Sequence, residues 1–306
     1  MSDTVLTDTA LNPGPLAGSR TLVAGRPPRP RSRWTPLRWS WDLRISAALL
    51  ALIVLTALIG PFLVADPDAM NVANRLRGLG TGGHLLGTDA LGRDMLARMV
   101  DGTRITLIAG LLPVAIATAI GTAIGVTAGL ARRRTHSTIM RVLDVFYAFP
   151  AVLLAIAIAA ALGSGITNVI AALTVAFVPP IARVADTETT RLRHLDFVEA
   201  AEASGATRAT IAVRQILPNV TPPLLVYCTA LVGVSIVYAA GLSFLGLSVA
   251  PPSPEWGLMI SDLRQFISSK PELALIPAVA ILLVSVAFNV LGEGLRKLLD
   301  IRAAAS

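Results

Sequence analysis

EAAEASGATRATIAVRQILPN, residues 199–219, is a polar stretch that lies between two strongly apolar ones. Residues 199–203 favour or tolerate a helix. Gly205 can adopt the left-handed conformation that closes a helix, and Thr207 can cap the next one. Pro218 predicts the end of this second helix, because the residue before a proline disfavours helical backbone. The stretch therefore predicts two short helices joined at a glycine.

This pair of predicted helices has two interpretations. Its small side chains and the negative charge of Glu199 suit a segment that docks into a groove on another protein. The same pattern also suits a plain interfacial loop that covers the ends of membrane spans. Side-chain properties alone do not choose between them.

The whole chain has the composition of a membrane protein. Hydrophobic residues make up 54% of it and charged residues 15%, whereas soluble domains carry about 25% charged residues. A helix needs about 20 apolar residues to cross the hydrocarbon layer, and it satisfies its own backbone hydrogen bonds in lipid. We therefore predict an all-α integral membrane fold. The six predicted transmembrane helices are Ile45–Val64, Ile105–Ala131, Val142–Leu162, Ile166–Ala182, Val220–Leu247 and Leu273–Gly292. Pro179 and Pro180 are expected to interrupt the end of the fourth.

Three glycines recur at every fourth position of the second predicted span: Gly121, Gly125 and Gly129. Small residues on one face let membrane helices approach closely. We expect this face to pack against another helix of the same chain, with a contact to another subunit as the alternative.

Basic residues are distributed asymmetrically around the predicted spans. Nineteen of the 26 Lys and Arg residues lie in residues 1–44 or in regions on the same side of the membrane. By the positive-inside rule, both termini and residues 199–219 are predicted to face the cytoplasm. Residues 1–44 are rich in Pro and Arg and predict a disordered tail, which precedes a transmembrane domain over residues 45–300. Three tryptophans that suit interfacial anchors lie before the first span: Trp34, Trp39 and Trp41.

The sequence argues against several classes of function. The net charge of +7 fits positive loops, and no basic face with interleaved aromatic residues indicates nucleic-acid binding. The lone Cys228 and three separated histidines form no metal-binding pattern. No phosphate-binding GK[ST] motif occurs. We therefore expect no metal, no cofactor and no enzymatic activity, and energy for any transport should come from another subunit.

Two other functions remain alternatives on the residues alone. An ion-coupled secondary transporter commonly keeps charged groups within the membrane, yet four long regions contain no Asp, Glu, Lys or Arg: 105–131, 145–182, 215–254 and 273–292. The other alternative is a membrane scaffold without a transport role. Dependence of transport on ATP rather than an ion gradient tests the first alternative, and co-purification with an ATPase tests the second.

The opening stretch resembles the cytoplasmic EAA loop in permease subunits of binding-protein-dependent ABC importers. That loop reads E-A-A, three residues, G, then nine residues, and ends near I-x-L-P. The matching residues are Glu199, Ala200, Ala201, Gly205, Leu217 and Pro218. One position departs from the pattern, because Gln215 stands in the usual place of the isoleucine and Ile216 follows it. The resemblance implies a coupling loop, at about residues 190–218, that sits in a cleft of the ATPase subunit.

Three other stretches are similar to permeases of the dipeptide, oligopeptide and nickel type. They are HLLGTDALGRDMLARMVDGTRITL (84–107), LDVFYAFPAVLLAIAIAAALG (143–163) and LSFLGLSVAPPSPEWGLMISD (242–262). The family residues in the first are His84, Gly87, Thr88, Asp89, Gly92, Arg93 and Asp94. Asp89, Arg93 and Asp94 are close enough in sequence for local pairing. We expect this external segment either to brace the spans or to form a docking surface for the substrate-binding protein; no nucleophile beside its carboxylates indicates an enzyme site.

The resemblance covers about residues 45–300 and implies the C-type subunit of a type I ABC importer permease. The implied partners are a B-type permease subunit, two ATPase subunits or domains, an extracytoplasmic substrate-binding protein and membrane lipid. The implied location is the plasma membrane of a prokaryote, with several spans and both termini in the cytoplasm. The chain would then form half of a translocation pathway for di- or oligopeptides, with nickel chelates and related solutes as other substrates of this permease type.

Overall fold

The computed structural model describes residues 41–303, which fold into helices joined by turns, with two isolated β-bridges among them. The helices are α1 (Trp41–Ile59), α2 (Met95–Leu130), α3 (Arg133–Tyr147), α4 (Ala151–Leu162), α5 (Ile166–Leu192), α6 (Asp196–Ala203), α7 (Arg208–Ile211), α8 (Leu217–Phe244), α9 (Trp256–Leu263) and α10 (Pro271–Ala303). A π-helical turn, Ala212–Ile216, joins α7 to α8. The predicted disordered tail and two of the three tryptophans lie outside the described residues, except that residues 41–44 already belong to α1.

Five of the described helices are long and apolar enough to cross a membrane, and the bent pair α3–α4 makes a sixth if it counts as one span. The third span, predicted over Val142–Leu162, is not one helix, because its first residues belong to α3, which meets α4 at an angle of 81°. Pro150 is the N-cap of α4. A proline has no N–H for a preceding turn and disfavours helical backbone at the residue before it, so the helix breaks there.

The proline pair in the fourth span does not end the helix as expected. α5 continues through Pro179 and Pro180 to Leu192. Neighbouring helices can hold a proline-containing membrane helix together, and α5 packs more extensively on α2 than on any other described helix. The continuation carries α5 about 18 Å beyond the second proline and places its end beside α6.

The glycine face of α2 explains how closely α2 and α5 approach. A Cβ on Gly121 would lie 2.9 Å from Ile181 Cγ2, and one on Gly129 would lie 2.6 Å from Thr189 Cγ2. A Cβ on Gly125 would lie 2.3 Å from the carbonyl oxygen of α5 residue Ala182. The predicted packing within the chain is therefore confirmed.

The helices enclose two apolar clusters that share α2 and α8. One contains Leu173 and Phe177 of α5, and the other contains Met95 of α2 and Trp256 of α9. α2 has 36 residues and is thus about 54 Å long. The segment before Asp94 lies at its first residue, whereas α6 and α7 lie near its last, so the two predicted functional segments are at opposite ends of the molecule.

Replacing Gly125 by valine is expected to destabilise the folded chain, because overpacking of a tight contact costs about 1–3 kcal/mol. Gly241 of α8 provides the matched control, since no heavy atom lies within 4 Å of a Cβ built there. Thermal unfolding in detergent should show a lower midpoint for Gly125→Val than for Gly241→Val. Equal midpoints would contradict the close contact between α2 and α5.

Candidate functional site

The two-helix segment, residues 196–218, has a hydrogen-bonded turn at its centre. Gly205 has φ 79°, the left-handed conformation predicted from the sequence. The N–H of Ala206 donates to the carbonyl of Ala201 at 3.1 Å, and that of Gly205 to the carbonyl of Glu202 at 2.9 Å. These two bonds form a Schellman motif, which satisfies the last carbonyls of α6 and fixes the direction of the chain that follows.

The second half of this segment begins as predicted but does not end as predicted. Thr207 Oγ1 accepts a hydrogen bond from the N–H of Thr210 at 3.2 Å and caps α7. The prediction that this helix ends before Pro218 is wrong, because Arg208–Phe244 is continuous. The π turn supplies the reason: the N–H of Leu217 bonds to the carbonyl of Ala212, and the proline that follows occupies the first turn of α8, where a missing N–H is tolerated.

The residues of the EAA pattern do not form one surface. Glu199 and Ala200 are exposed on α6, while Ala201 packs against the core beside the buried Val198. Leu217 instead lines an apolar groove of about 490 Å³ between α2 and the start of α8. Pro218 is exposed next to it. The pattern therefore combines a docking-type surface on α6 with residues that shape the connection to α8.

A charged cleft of about 290 Å³ lies between α6–α7 and the turn after α2. Its charged and polar lining residues are Arg132, Arg193, His194, Glu199, Glu202 and Arg208. Arg193 donates to the carbonyl of Gly129 at 3.0 Å, which ties the end of α5 to the end of α2. Within the described residues, Glu199, Glu202 and Arg208 form no ion pair within 4.0 Å. Their charges are thus available to a partner.

At the opposite end of α2, Asp89 is the centre of a buried ion-pair network. Its Oδ1 accepts from the N–H groups of Leu91 and Arg93, both at 2.9 Å. Its Oδ2 lies 2.6 Å from Arg93 Nε and 3.5 Å from Arg98 Nε. Both arginine side chains are almost fully buried, at 3% and 1% exposed. The predicted pairing of Asp89 with Arg93 is confirmed.

Asp94 pairs with His84 rather than with Arg93. Its Oδ2 lies 2.6 Å from His84 Nδ1, and its Oδ1 accepts from the N–H of Ala97 at 2.8 Å as the N-cap of α2. An aspartate at this position satisfies an otherwise free N–H, and its negative charge interacts favourably with the helix dipole. The Asp94 carboxylate therefore caps the first turn of α2.

The remaining residues of the external pattern shape the same turn. Gly87 and Gly92 have φ 74° and 76°. A Cβ on Gly87 would lie 2.3 Å from the carbonyl oxygen of Arg77, so a side chain has no room there. The Thr88 hydroxyl donates to the carbonyl of Asn74. All seven residues of the pattern thus have structural contacts or backbone roles.

Sequence reasoning missed two residues that extend this network, Arg98 and Asp262, and two that start and anchor α9 beside it, Glu255 and Trp256. Arg98 donates to the carbonyl of Pro252 at 3.1 Å, and Trp256 Nε1 donates to the carbonyl of Met99 at 3.0 Å. Burial raises the pKa of the Asp262 carboxyl, while the Arg93 guanidinium acts in the opposite direction. These contacts join regions more than 150 residues apart in the chain, and no local pattern in the sequence indicates them.

Residues 121–304 match the model of the family described as "Binding-protein-dependent transport system inner membrane component". The chain belongs to this family. A relative from Pectobacterium atrosepticum, named glutathione transport system permease protein GsiD, is 39% identical over 280 residues, which cover 89% of this chain and 93% of the relative. The protein of the same name from Shigella flexneri serotype 5b is 42% identical over 260 residues, or 84% and 86% of the two chains.

The fold is also similar to that of a solved transporter. A chain in an inward-facing structure of the MetNI methionine ABC transporter superposes with a TM-score of 0.52 at 20% identity, and the match covers 66% of this chain and 97% of that one. The predicted all-α permease fold is thus confirmed.

Family membership decides the general function. The chain is a permease subunit of an ABC importer, an inner-membrane transport component rather than an enzyme. The family implies ATPase partners and a substrate-binding protein. The ion-coupled transporter and the scaffold without transport are therefore set aside as the general function.

Asp89→Asn is expected to destabilise the chain by about 3–5 kcal/mol, because it removes the carboxylate that two buried arginines share. Asp66→Asn is the control, since Asp66 is exposed and accepts one hydrogen bond from a neighbouring N–H. Folded yield and the midpoint of thermal unfolding should fall only in Asp89→Asn. If Asp89→Asn keeps wild-type stability and loses only stimulation by the binding protein, the segment docks that protein and does not brace the spans.

Proposed function

We propose that this chain forms half of an ATP-driven pathway that imports small peptides, with a dissimilar B-type permease forming the other half. Two relatives that match most of the chain are named as glutathione transport permeases, and glutathione is a tripeptide. This likeness is the observation that carries the proposed substrate class. Long stretches of the spans contain no Asp, Glu, Lys or Arg, so a coupling ion has no charged site there.

The two-helix segment is the proposed contact with the ATPase. Its outer surface carries Glu199 and Ala200, while Val198 on the other side of α6 is 1% exposed and packs in the core. A force on the outer surface therefore reaches the transmembrane helices through packed side chains. The Schellman turn holds α6 at a fixed angle to α7, which continues into α8. ATP-driven closure of the two ATPases would move this rigid segment and the spans together.

The same proposal places the two-helix segment in the cytoplasm and the external segment outside. Ala203 and Leu85 are exposed side chains on the two segments. In a Cys228→Ser background, Ala203→Cys is expected to react with a membrane-impermeant maleimide only after the vesicles are opened to the cytoplasmic side. Leu85→Cys should react from outside in intact cells. The reverse pattern would overturn the proposed orientation.

Reconstituted vesicles test the transport function itself. The vesicles would contain this chain, a B-type permease and the ATPase subunits, with the binding protein added on the outer side. Uptake of radiolabelled glutathione or dipeptides is expected to need ATP and the binding protein, and to continue when ionophores collapse the ion gradients. Uptake driven by a gradient without ATP would contradict the proposal, whereas ATP-driven uptake of non-peptide solutes alone would contradict only the substrate class.

Gly205→Val is expected to uncouple ATP hydrolysis from uptake while the chain still inserts and folds. A side chain in the left-handed conformation costs about 1 kcal/mol or more, and here that strain would alter the angle between α6 and α7. Gly163→Val is the matched control, because Gly163 has φ 86° and, like Gly205, has no heavy atom within 4 Å of an added Cβ. Gly163 lies in the turn between α4 and α5, away from the proposed ATPase contact. At equal protein levels, equal uptake per ATP in both variants would rule out a required turn at Gly205.

A further inference from the structure

Helix α3 crosses α5 instead of running along it. His136 Nε2 of α3 lies 3.2 Å from Asp186 Oδ2 of α5, and Asp144 of α3 pairs with Arg183 of α5. The two contacts are eight residues apart on α3, or about 12 Å along a helix, but three residues apart on α5, or about 4.5 Å. The two axes therefore meet at a steep angle, in agreement with the 81° bend between α3 and α4.

The crossing lies at the boundary of the hydrocarbon layer. Arg183 and Asp186 follow Ile166, the first residue of α5, by 17 and 20 residues, which places them about 25 and 30 Å along the helix. The hydrocarbon layer is about 30 Å thick. α4, with 12 residues, runs about 18 Å through that layer. Because α3 meets α4 at 81° and crosses α5 at Arg183 and Asp186, α3 lies close to the membrane plane, at the depth where acyl chains meet headgroups.

The exposed surface of α3 is divided into an apolar and a basic strip. Val142 and Phe146, four residues apart, are neighbours on one helix face and are 55% and 41% exposed, and Val145, which is 62% exposed, lies between them and the basic residues. Arg134 and Arg141 are seven residues apart and share the adjoining face, where both are exposed. A third face is turned toward the protein, where Leu143 is buried.

The basic strip has no anionic partner within the described part of the chain. Arg134 and Arg141 of this strip, and Arg132 and Arg133 at the start of α3, have no carboxylate within 4.0 Å among those residues. By contrast, Arg183 beneath the helix is engaged by Asp144 and lies 4.3 Å from the centre of the Tyr147 ring. The polar contacts that hold α3 on α5 therefore leave the arginines free to meet groups outside the chain.

We propose that α3 is an interfacial helix whose arginines bind the phosphate groups of anionic phospholipids while Val142, Val145 and Phe146 enter the acyl-chain boundary. A helix with a basic face beside an apolar face, lying in the membrane plane, has the chemistry that recognises an anionic bilayer surface. Exposed aromatic residues at the α3–α4 break, Tyr147 and Phe149, suit the same depth. These phospholipids belong to the cytoplasmic leaflet if the orientation given under the proposed function is correct, because that orientation places the end of α5 on the cytoplasmic side.

Spin labels in the assembled transporter test where the apolar strip lies. The labels are placed one at a time at positions 142, 145 and 134 in a Cys228→Ser background, in bilayers that contain phosphatidylglycerol. Collision with oxygen, which concentrates in lipid, is expected to dominate at 142 and 145. Collision with a water-soluble nickel chelate is expected to dominate at 134. High nickel accessibility at 142 and 145 would place them in a water-filled pathway, and low accessibility to both reagents would place them against the partner permease; either result overturns the proposal.

A fluorescent label at position 145 tests the recognition of anionic headgroups. Quenching by brominated phosphatidylglycerol is expected to exceed quenching by brominated phosphatidylcholine by at least about fivefold, the factor for one basic residue near an anionic surface. Replacing Arg133, Arg134 and Arg141 by glutamine should remove this preference. A label at position 282 on the exposed face of α10 is the control and should show no preference. Equal quenching by both lipids at position 145 of the otherwise unchanged chain would overturn the proposal.

These outcomes are separate from those that test transport. ATP-driven uptake and the side of maleimide labelling are measured on the same vesicles without brominated lipid. If uptake and orientation are as proposed while the lipid preference is absent, only the role of α3 is wrong. If labelling shows the opposite orientation, the proposed function is wrong independently of lipid quenching.

Discussion

The close contact between α2 and α5 sets the geometry of the rest of the chain. Three glycines on α2 bring the backbones so near that a methyl group on Gly125 would lie 2.3 Å from a carbonyl oxygen of α5. Because α2 is about 54 Å long, this contact fixes one continuous helix whose two ends hold the two predicted functional segments. The Asp89 network forms around its beginning, and Arg193 binds the carbonyl of Gly129 near its end.

The two ends of α2 serve different physical purposes. Around Asp89, charges are buried and paired, and a hydrogen bond joins α9 to the start of α2. Breaking a buried ion pair costs far more than breaking an exposed one. In the cleft beside α6, Glu199, Glu202 and Arg208 are exposed and form no ion pair within 4.0 Å among the described residues. The first arrangement resists deformation, and the second is suited to exchanging partners as an assembly changes shape. An importer needs both properties.

Much of the fold could be predicted because its signals are local. Apolar length indicated the spans, the glycine spacing indicated a close helix contact, and Gly205 and Thr207 indicated the turn and the cap in the two-helix segment. The helix boundaries were predicted wrongly where the effect of a proline was inferred only from its neighbours in the sequence. Pro150 breaks a helix, Pro179 and Pro180 do not, and Pro218 is accommodated by a π turn. Tertiary packing decides between these outcomes, and the partners of Arg98 also depend on contacts distant in sequence. The roles of the EAA residues and of the external pattern stay predictions.

The π turn at Ala212–Ile216 also changes how the sequence of the following helix is to be analysed. A π turn contains one residue more than an α turn, so every side chain after it is rotated by about 100° from the position that an uninterrupted helix would give it. Arg208 and Ile211 before the turn line the charged cleft, whereas Leu217 and Leu224 after it line the apolar groove. Arg208–Phe244 is therefore one continuous helical segment, but the side chains before and after the π turn do not follow one α-helical period. The apolar face of α8 must be counted from Leu217.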